Sequence, residues 1–175
     1  MMEIEIKIQI GEFVEIEKIV EEHASVCRSD SYIEDIYFDN GTLADQRKCL
    51  RIRNVTGKFW DGFSVLSCKG PPSTEDGIKS RKETEIPVLP RDKDDFLHIL
   101  GTMGFEETVR VKKHRREYTY EYCTVCLDEV EGLGNFIEIE GNSIEEVNKA
   151  KEVLIPKDDF VWVVERSYPE LMMEK

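Results

Sequence analysis

No apolar run in the 175-residue chain approaches the roughly 18 residues that a membrane-spanning helix needs; the best stretch is Phe160 to Val164. Glu3, Glu5 and Lys7 interrupt the uniformly apolar segment that an export signal would require, so a cytoplasmic protein without a membrane partner is expected. Cysteine is sparse and odd in number, five in all, which points to reduced thiols rather than a disulfide framework. Cys123 and Cys126 form a C-x-x-C, but no second pair stands at zinc spacing, and on a strand the two thiols would point to opposite faces. Positive charge is in deficit: 24 Lys and Arg stand against 37 Asp and Glu, a net charge of −13. Such a chain is a poor partner for nucleic acid, whose phosphates demand a basic footprint. A Walker A loop, a G-x-G-x-x-G and a nucleophile elbow are all missing, so the enzyme classes built on them lack support.

The residues that are present describe a charge-rich globular domain, 40% hydrophobic and 35% charged, with no linker or low-complexity tract, so one domain over 1–175 is expected. Eight segments read as strands: 2–9, 33–39, 47–55, 62–69, 79–88, 109–120, 123–130 and 135–141. Turn chemistry at Asn40-Gly41, Asp61-Gly62, Gly70-Pro71-Pro72 and Gly132-Leu133-Gly134 bounds several of them, and Pro71 to Lys79 reads as the longest loop, with a turn at Asp76-Gly77. Helical spacing predicts helices over 12–23, 92–103 and 143–154, the last with Ser143 and Glu146 as a capping box. A fourth is expected over 158–174, interrupted by Pro169. Long strands with local hairpins and few helices indicate an α+β fold, an antiparallel sheet with helices packed on it. The strongest hairpins join 47–55 with 62–69 and 109–120 with 123–130.

Side chains alternate across a strand, so parity sorts the charges by face. Ile4, Ile6 and Ile8 alternate with Glu3, Glu5 and Lys7; Leu50 and Ile52 with Arg51 and Arg53; Ile137 and Ile139 with Glu138 and Glu140. A one-sided sheet showing its polar face to water would produce the same alternation. Three features argue for convergence instead. Carboxylates come in pairs two apart (Glu3 and Glu5, Glu83 and Glu85, Glu138 and Glu140), and a cluster of them repels itself unless a hard cation such as Mg²⁺ or Mn²⁺ sits among them. Cations are patterned too: Arg51 with Arg53, Lys113 with Arg115, and Lys7, Lys69 and Arg81 near strand ends. An acidic chain that spends so many cations on strands is gathering them around an anion, and acidic pairs beside basic pairs suit a metal-bound polyphosphate. In 109–120 both parities are polar, so parity there does not choose a face. His23 and His98 read as helix-surface residues, His114 points off the Lys113 and Arg115 face, and Trp60 and Phe63 flank a hairpin tip where packing is the ordinary role.

The opening Glu3-Ile4-Glu5-Ile6-Lys7 resembles the ExExK signature of the CYTH superfamily, the triphosphate tunnel metalloenzymes. Further elements follow in family order: Asp35-Ile36-Tyr37-Phe38-Asp39, Leu50-Arg51-Ile52-Arg53, Lys69-Gly70-Pro71, Arg81-Lys82-Glu83-Thr84-Glu85 and Lys113-His114-Arg115. The block from Leu127 to Glu140 is similar to the family's L-D-x-V-x-x-L-G-x-F-x-E-x-E, and Ser167-Tyr168-Pro169-Glu170-Leu171 to its S-Y-x-x-L ending. The resemblance implies a closed eight-stranded antiparallel β-barrel with helices outside and a charged tunnel inside, nearest to the class IV adenylyl cyclase branch. It implies Glu3, Glu5, Glu138 and Glu140 as ligands of Mg²⁺ or Mn²⁺, with Asp128 as a further contributor and Glu83 and Glu85 as associated acids. Lys7, Arg51, Arg53, Lys69, Arg81, Lys113 and Arg115 would grip phosphate, with Lys7, Arg53 and Lys113 as catalytic candidates. The expected substrate is a small triphosphate (ATP, thiamine triphosphate or tripolyphosphate), processed by cyclisation or by hydrolysis. A non-catalytic polyphosphate-binding module is the alternative of another class. The resemblance is compatible with a homodimer.

Overall fold

The computed structural model describes residues 2–24, 27–57, 62–155 and 161–174. Its strands are β1 (Met2–Ile10), β2 (Ser29–Asp39), β3 (Cys49–Gly57), β4 (Phe63–Lys69), β5 (Ser73–Glu75), β6 (Ile78–Val88), β7 (Glu106–Tyr120), β8 (Cys123–Val130), β9 (Gly134–Gly141) and β10 (Val161–Val163). The α-helices are α1 (Phe13–His23), α2 (Lys93–Thr102), α3 (Ile144–Leu154) and α4 (Tyr168–Met173). The sheet runs β1-β9-β8-β7-β2-β3-β4-β6, and β6 pairs back onto β1, so eight antiparallel strands close into a barrel. β5 and β10 are short additions on β6 and β1. Both expected hairpins, β3 with β4 and β7 with β8, are present.

Two segments differ from the sequence reading. The expected loop 71–79 contains β5, which turns into β6 through Asp76 and Gly77, both at positive φ (50° and 79°). Two left-handed residues make the tight turn suited to a short hairpin, and three exposed residues are too few for alternation to reveal the strand. In the expected helix 158–174, residues 156–160 lie outside the described residues, β10 lies beyond them, and only Tyr168–Met173 is helical. Val161 and Val163 are β-branched and find an open stretch of β1 to pair with. Pro169 sits in the first turn of α4, where a missing N–H costs nothing. At α3, Ser143 accepts the Glu146 N–H (3.2 Å), but the Glu146 carboxylate takes the N–H of Asn142 (2.9 Å) rather than that of Ser143. Trp60 lies outside the described residues; Phe63 opens β4.

The barrel is apolar outside and charged within. Ile6, Ile8, Val125, Leu127, Ile137 and Ile139 face outward and pack under Ile16 and Val20 of α1 and Val147, Ala150 and Leu154 of α3. On another flank Leu97 and Leu100 of α2 cover Ile36, Phe38 and Ile52. The helices therefore bury the isoleucine faces, each side chain contributing about 1.5–3 kcal/mol, and the alternate positions are turned into the lumen. Ile139→Ala should lose about 2–5 kcal/mol of stability, read from urea unfolding, because rigid strands below and α3 above leave a cavity that cannot collapse. Among the described residues no helix is long and apolar enough to cross a membrane.

Candidate functional site

Parity and ring closure together place the charges. Glu3, Glu5, Lys7, Arg51, Lys69, Lys113 and Asp128 are each 7% exposed or less, so the alternation is not a solvated face. Every residue singled out from the sequence except Asp128 lines one cavity of about 650 Å³, a size within the range of small-molecule sites. Closure makes neighbours of remote segments: Glu5 lies opposite Glu140 on β9 and Lys79 on β6, Lys7 opposite Glu138, and Glu3 opposite Arg81. Arg53 lies opposite Asp35, and Arg115 opposite Asp128. In β7, where both parities are polar, Lys113, Arg115 and Glu117 line the lumen. His114 turns away to pair with Asp30 (2.6 Å) and stack on Tyr32, and Arg116 pairs with Glu17 of α1. Cys123 joins the outer core while Cys126 lines the cavity, as a strand requires of a C-x-x-C.

Three ion networks organise the lumen. In the first, Lys113 donates to Asp128 (2.7 Å), Arg115 reaches both Asp128 oxygens (2.6 and 2.5 Å) and also Glu138, and Lys7 meets Glu138 at 3.1 Å. Burial alone would raise the Glu138 carboxyl, but Lys7, Lys113 and Arg115 hold it well below the usual range. Burial pushes the Lys113 ammonium down to about 8, with Arg115 adding to the effect and Asp128 opposing it. In the second, Asp35 accepts a two-pronged bond from Arg53 (2.7 and 2.8 Å) and lies 3.5 Å from Arg51, whose Nε donates to Ser67 (2.9 Å). Burial opposes ionisation of Asp35, yet the two guanidinium groups keep its carboxyl far below the ordinary value. In the third, Glu3 pairs with Lys69 and with Arg81 (2.8 Å), and Lys69 also lies 3.1 Å from Glu83.

Two acids are held less tightly. Glu5 keeps Oε1 buried without a hydrogen bond, its nearest cations being Arg81 at 3.5 Å and Lys79 at 3.9 Å. Glu140 sits beside it, and burial followed by the charges of Glu3 and Glu5 pushes its carboxyl up to about 7. The four expected metal ligands thus share the cavity, with Glu3, Glu5 and Glu140 close enough for their charges to act on one another, while Glu3 and Glu138 are also drawn onto cations. Among the described residues no three acids, His or Cys form a ready-made coordination group. Asp128 lies behind the wall, fully buried, its oxygens taken by Lys113, Arg115 and Tyr168.

The sequence reading assigned no role to Asp35, Lys79 or Tyr168. Asp35 shares a face with Tyr37, and Lys79 with Arg81, so parity carried a signal for both. Burial, then the neighbouring charge of Lys7, lowers the Lys79 ammonium to about 8. Tyr168 reaches the site from α4, outside the barrel, where no strand parity applies.

The geometry has known counterparts. The CYTH domain model matches residues 1–155. The chain belongs to the CYTH family. Its CYTH barrel is similar, at 32% identity over 98% of each chain, to "Putative adenylate cyclase MJ0240" of Methanocaldococcus jannaschii. Among solved structures, the PH1819 protein of Pyrococcus horikoshii is 32% identical over 98% of each chain, with a TM-score of 0.81. A Hippeastrum protein, described as "Putative adenylyl cyclase HpAC1" with a dominant triphosphatase activity, shares the fold at 20% identity over 98% of this chain and 95% of its own, with a TM-score of 0.73.

Proposed function

We propose that this CYTH protein is a divalent-metal-dependent enzyme that draws a triphosphate into its barrel, and that it cyclises ATP to cyclic AMP and pyrophosphate. The observation that carries the reading is one cavity in which Lys7, Arg51, Arg53, Lys69, Arg81, Lys113 and Arg115 are gathered together with the carboxylates of Glu3, Glu5, Glu138 and Glu140. The name of the Methanocaldococcus relative supports the cyclase. Mg²⁺ or Mn²⁺ fits the donor set. Glu5 offers a buried oxygen without a hydrogen bond, and Glu140 carries a charge its neighbours resist, which a hard cation with oxygen ligands relieves. Glu5 and Glu140 would hold the ion, with Glu3 and Glu138 completing the acidic wall. When bound, it would act as a Lewis acid on the phosphate oxygens and ease deprotonation of the attacking hydroxyl.

The chain's own cations do the rest. Forked guanidinium groups of Arg51, Arg53, Arg81 and Arg115 match phosphate oxygens in pairs, while Lys7, Lys69 and Lys113 add point charge. Asp35 would fix the directions of Arg53 and Arg51, and Asp128 those of Lys113 and Arg115, before substrate arrives. In the cyclase reaction the 3′-hydroxyl oxygen bonds to the α-phosphorus, losing its proton. The bond from that phosphorus to the oxygen bridging to the β-phosphorus breaks, and pyrophosphate leaves. Lys7, Arg53 and Lys113 would stabilise the charge gathering on that leaving group.

Phosphohydrolysis is the second reading, favoured by the activity named for the Hippeastrum barrel. Products decide between them. The protein is incubated with Mg²⁺ or Mn²⁺ and, separately, ATP, thiamine triphosphate and tripolyphosphate. Cyclic AMP with pyrophosphate supports the cyclase, and orthophosphate supports the hydrolase. Binding without turnover would leave a polyphosphate-binding module.

Chelation should abolish turnover, and added Mg²⁺ should raise the melting temperature more at pH 8 than at pH 5.5. Glu140 binds its proton up to about pH 7, so protons compete with the ion below that value and leave it free above. Thermal melts at the two pH values check the sign; an equal shift at both would remove Glu140 from the metal site.

A further inference from the structure

We propose that Tyr168 is a positioning residue of the phosphate grip, its ring holding Lys7 and Lys113 and its hydroxyl fixing Asp128, so that α4 sets the tunnel's inner cations from outside the barrel. The inference rests on the triphosphate reading above. Tyr168 is buried and its hydroxyl donates to Asp128 Oδ2 at 2.9 Å. The Nζ of Lys7 lies 4.0 Å from the ring centroid and that of Lys113 lies 4.9 Å from it. The ring itself is seated edge-on against Phe136, with centroids 5.1 Å apart.

Two ammonium groups from strands on different sides of the lumen are thus drawn to one side chain. The chemistry of that side chain matters. A carboxylate in its place would neutralise the lysines and occupy their N–H donors. An aromatic face attracts a cation through its quadrupole and accepts little hydrogen bonding, so donors stay available for phosphate oxygens. The hydroxyl meanwhile ties the ring to Asp128, the shared anchor of Lys113 and Arg115. Lys7, Lys113 and Arg115 are therefore all referred to one point of α4. The helix is seated by Tyr168 itself in a cluster with Val130 and Phe136, against which Leu171 and Met172 pack, and its first turn is capped by Glu170 accepting the N–H and hydroxyl of Ser167.

The test measures Kd for tripolyphosphate without metal by calorimetry, and KM and kcat with Mg²⁺, for wild type, Tyr168→Phe, Tyr168→Leu and Leu171→Ala. Tyr168→Phe keeps the ring and loses one hydrogen bond, so Kd and KM should rise about 3- to 10-fold. Tyr168→Leu loses both cation contacts as well and should weaken binding roughly 30-fold or more. Leu171→Ala trims the packing of α4 but keeps the ring and hydroxyl of the tyrosine, so its loss should be clearly smaller than that of Tyr168→Leu. Wild-type affinity in both tyrosine variants would overturn the proposal, as would a loss in Leu171→Ala equal to that in Tyr168→Leu, which would trace the effect to helix docking alone. Should Tyr168→Leu fail to fold, unchanged affinity in Tyr168→Phe would overturn it by itself. A wild type that binds no tripolyphosphate would instead bring down the triphosphate reading.

Discussion

Turnover of every triphosphate is expected to fall by roughly 10³-fold when Glu5 and Glu140 are both replaced by glutamine, because on the proposed reading these two acids, the less tightly paired ones of the lumen, would hold the metal. The same variant gains stability in metal-free buffer, and the gain has a defined pH dependence. The Glu140 carboxyl is raised from 4.5 to about 7 in the folded protein. Wild type is therefore unburdened below the ordinary carboxylate value and loses stability as pH rises through about 7. Glutamine removes that decline, so the melting temperature of the variant exceeds that of wild type at pH 8 and matches it near pH 4.5. Full activity in the double variant, assayed at saturating Mg²⁺, would remove both residues from the metal site. Less active but more stable is the combination expected where a site stores repulsion for a cation to relieve.

The opposite outcome is expected at Asp128. Asp128→Ala leaves Lys113 and Arg115 buried without their shared counter-charge, a loss of about 3–5 kcal/mol, and turnover falls with it because both cations lose their direction. Chemical denaturation with intact slope and lowered midpoint checks the first part. The pH dependence again gives the sign. Burial opposes the Asp128 charge, but Arg115 and Lys113 hold its folded pKa below 3.8, so the stability it supplies is fully present above that value and is lost as pH falls through the folded one. Wild type should thus shed stability in acid faster than the alanine variant, narrowing the gap between them. A constant gap from pH 7 down to pH 2 would mean that Asp128 is not the ionised partner of these cations.

Much of this arrangement could be read before any coordinates. All eight ring strands follow from alternation and turn chemistry, and parity separates the isoleucine face from the charged face on β1, β3 and β9. Parity alone, however, is silent about which face is inside. A flat sheet and an inverted barrel share the same period of two, and only the pairing of β6 with β1 turns the charged face into a lumen. That pairing was expected from the family resemblance, not from periodicity. β5 and β10 escaped because three residues carry too little pattern. Asp35 escaped because, directly after Glu34, it reads like any strand acid until Arg51 and Arg53 are placed beside it. Tyr168 was legible only as part of the S-Y-x-x-L resemblance, since nothing in a short helix with a proline in its first turn says that its ring reaches two lysines across the barrel wall.

The strand that shuts the ring stands ahead of all its partners in chain order. β1 supplies Glu3, Glu5 and Lys7, yet its partners are β6 and β9, and Ile6 meets Ile78 and Ile139 only after most of the chain has left the ribosome. Until then its charges have no lumen to occupy and its isoleucines no helix to cover them. Pairings of such long sequence separation are slow to form. Assembly of the lumen is consequently all or nothing: no half-zipped intermediate encloses the charged face, and tripolyphosphate added during refolding should speed nothing until β1 has paired with both β9 and β6.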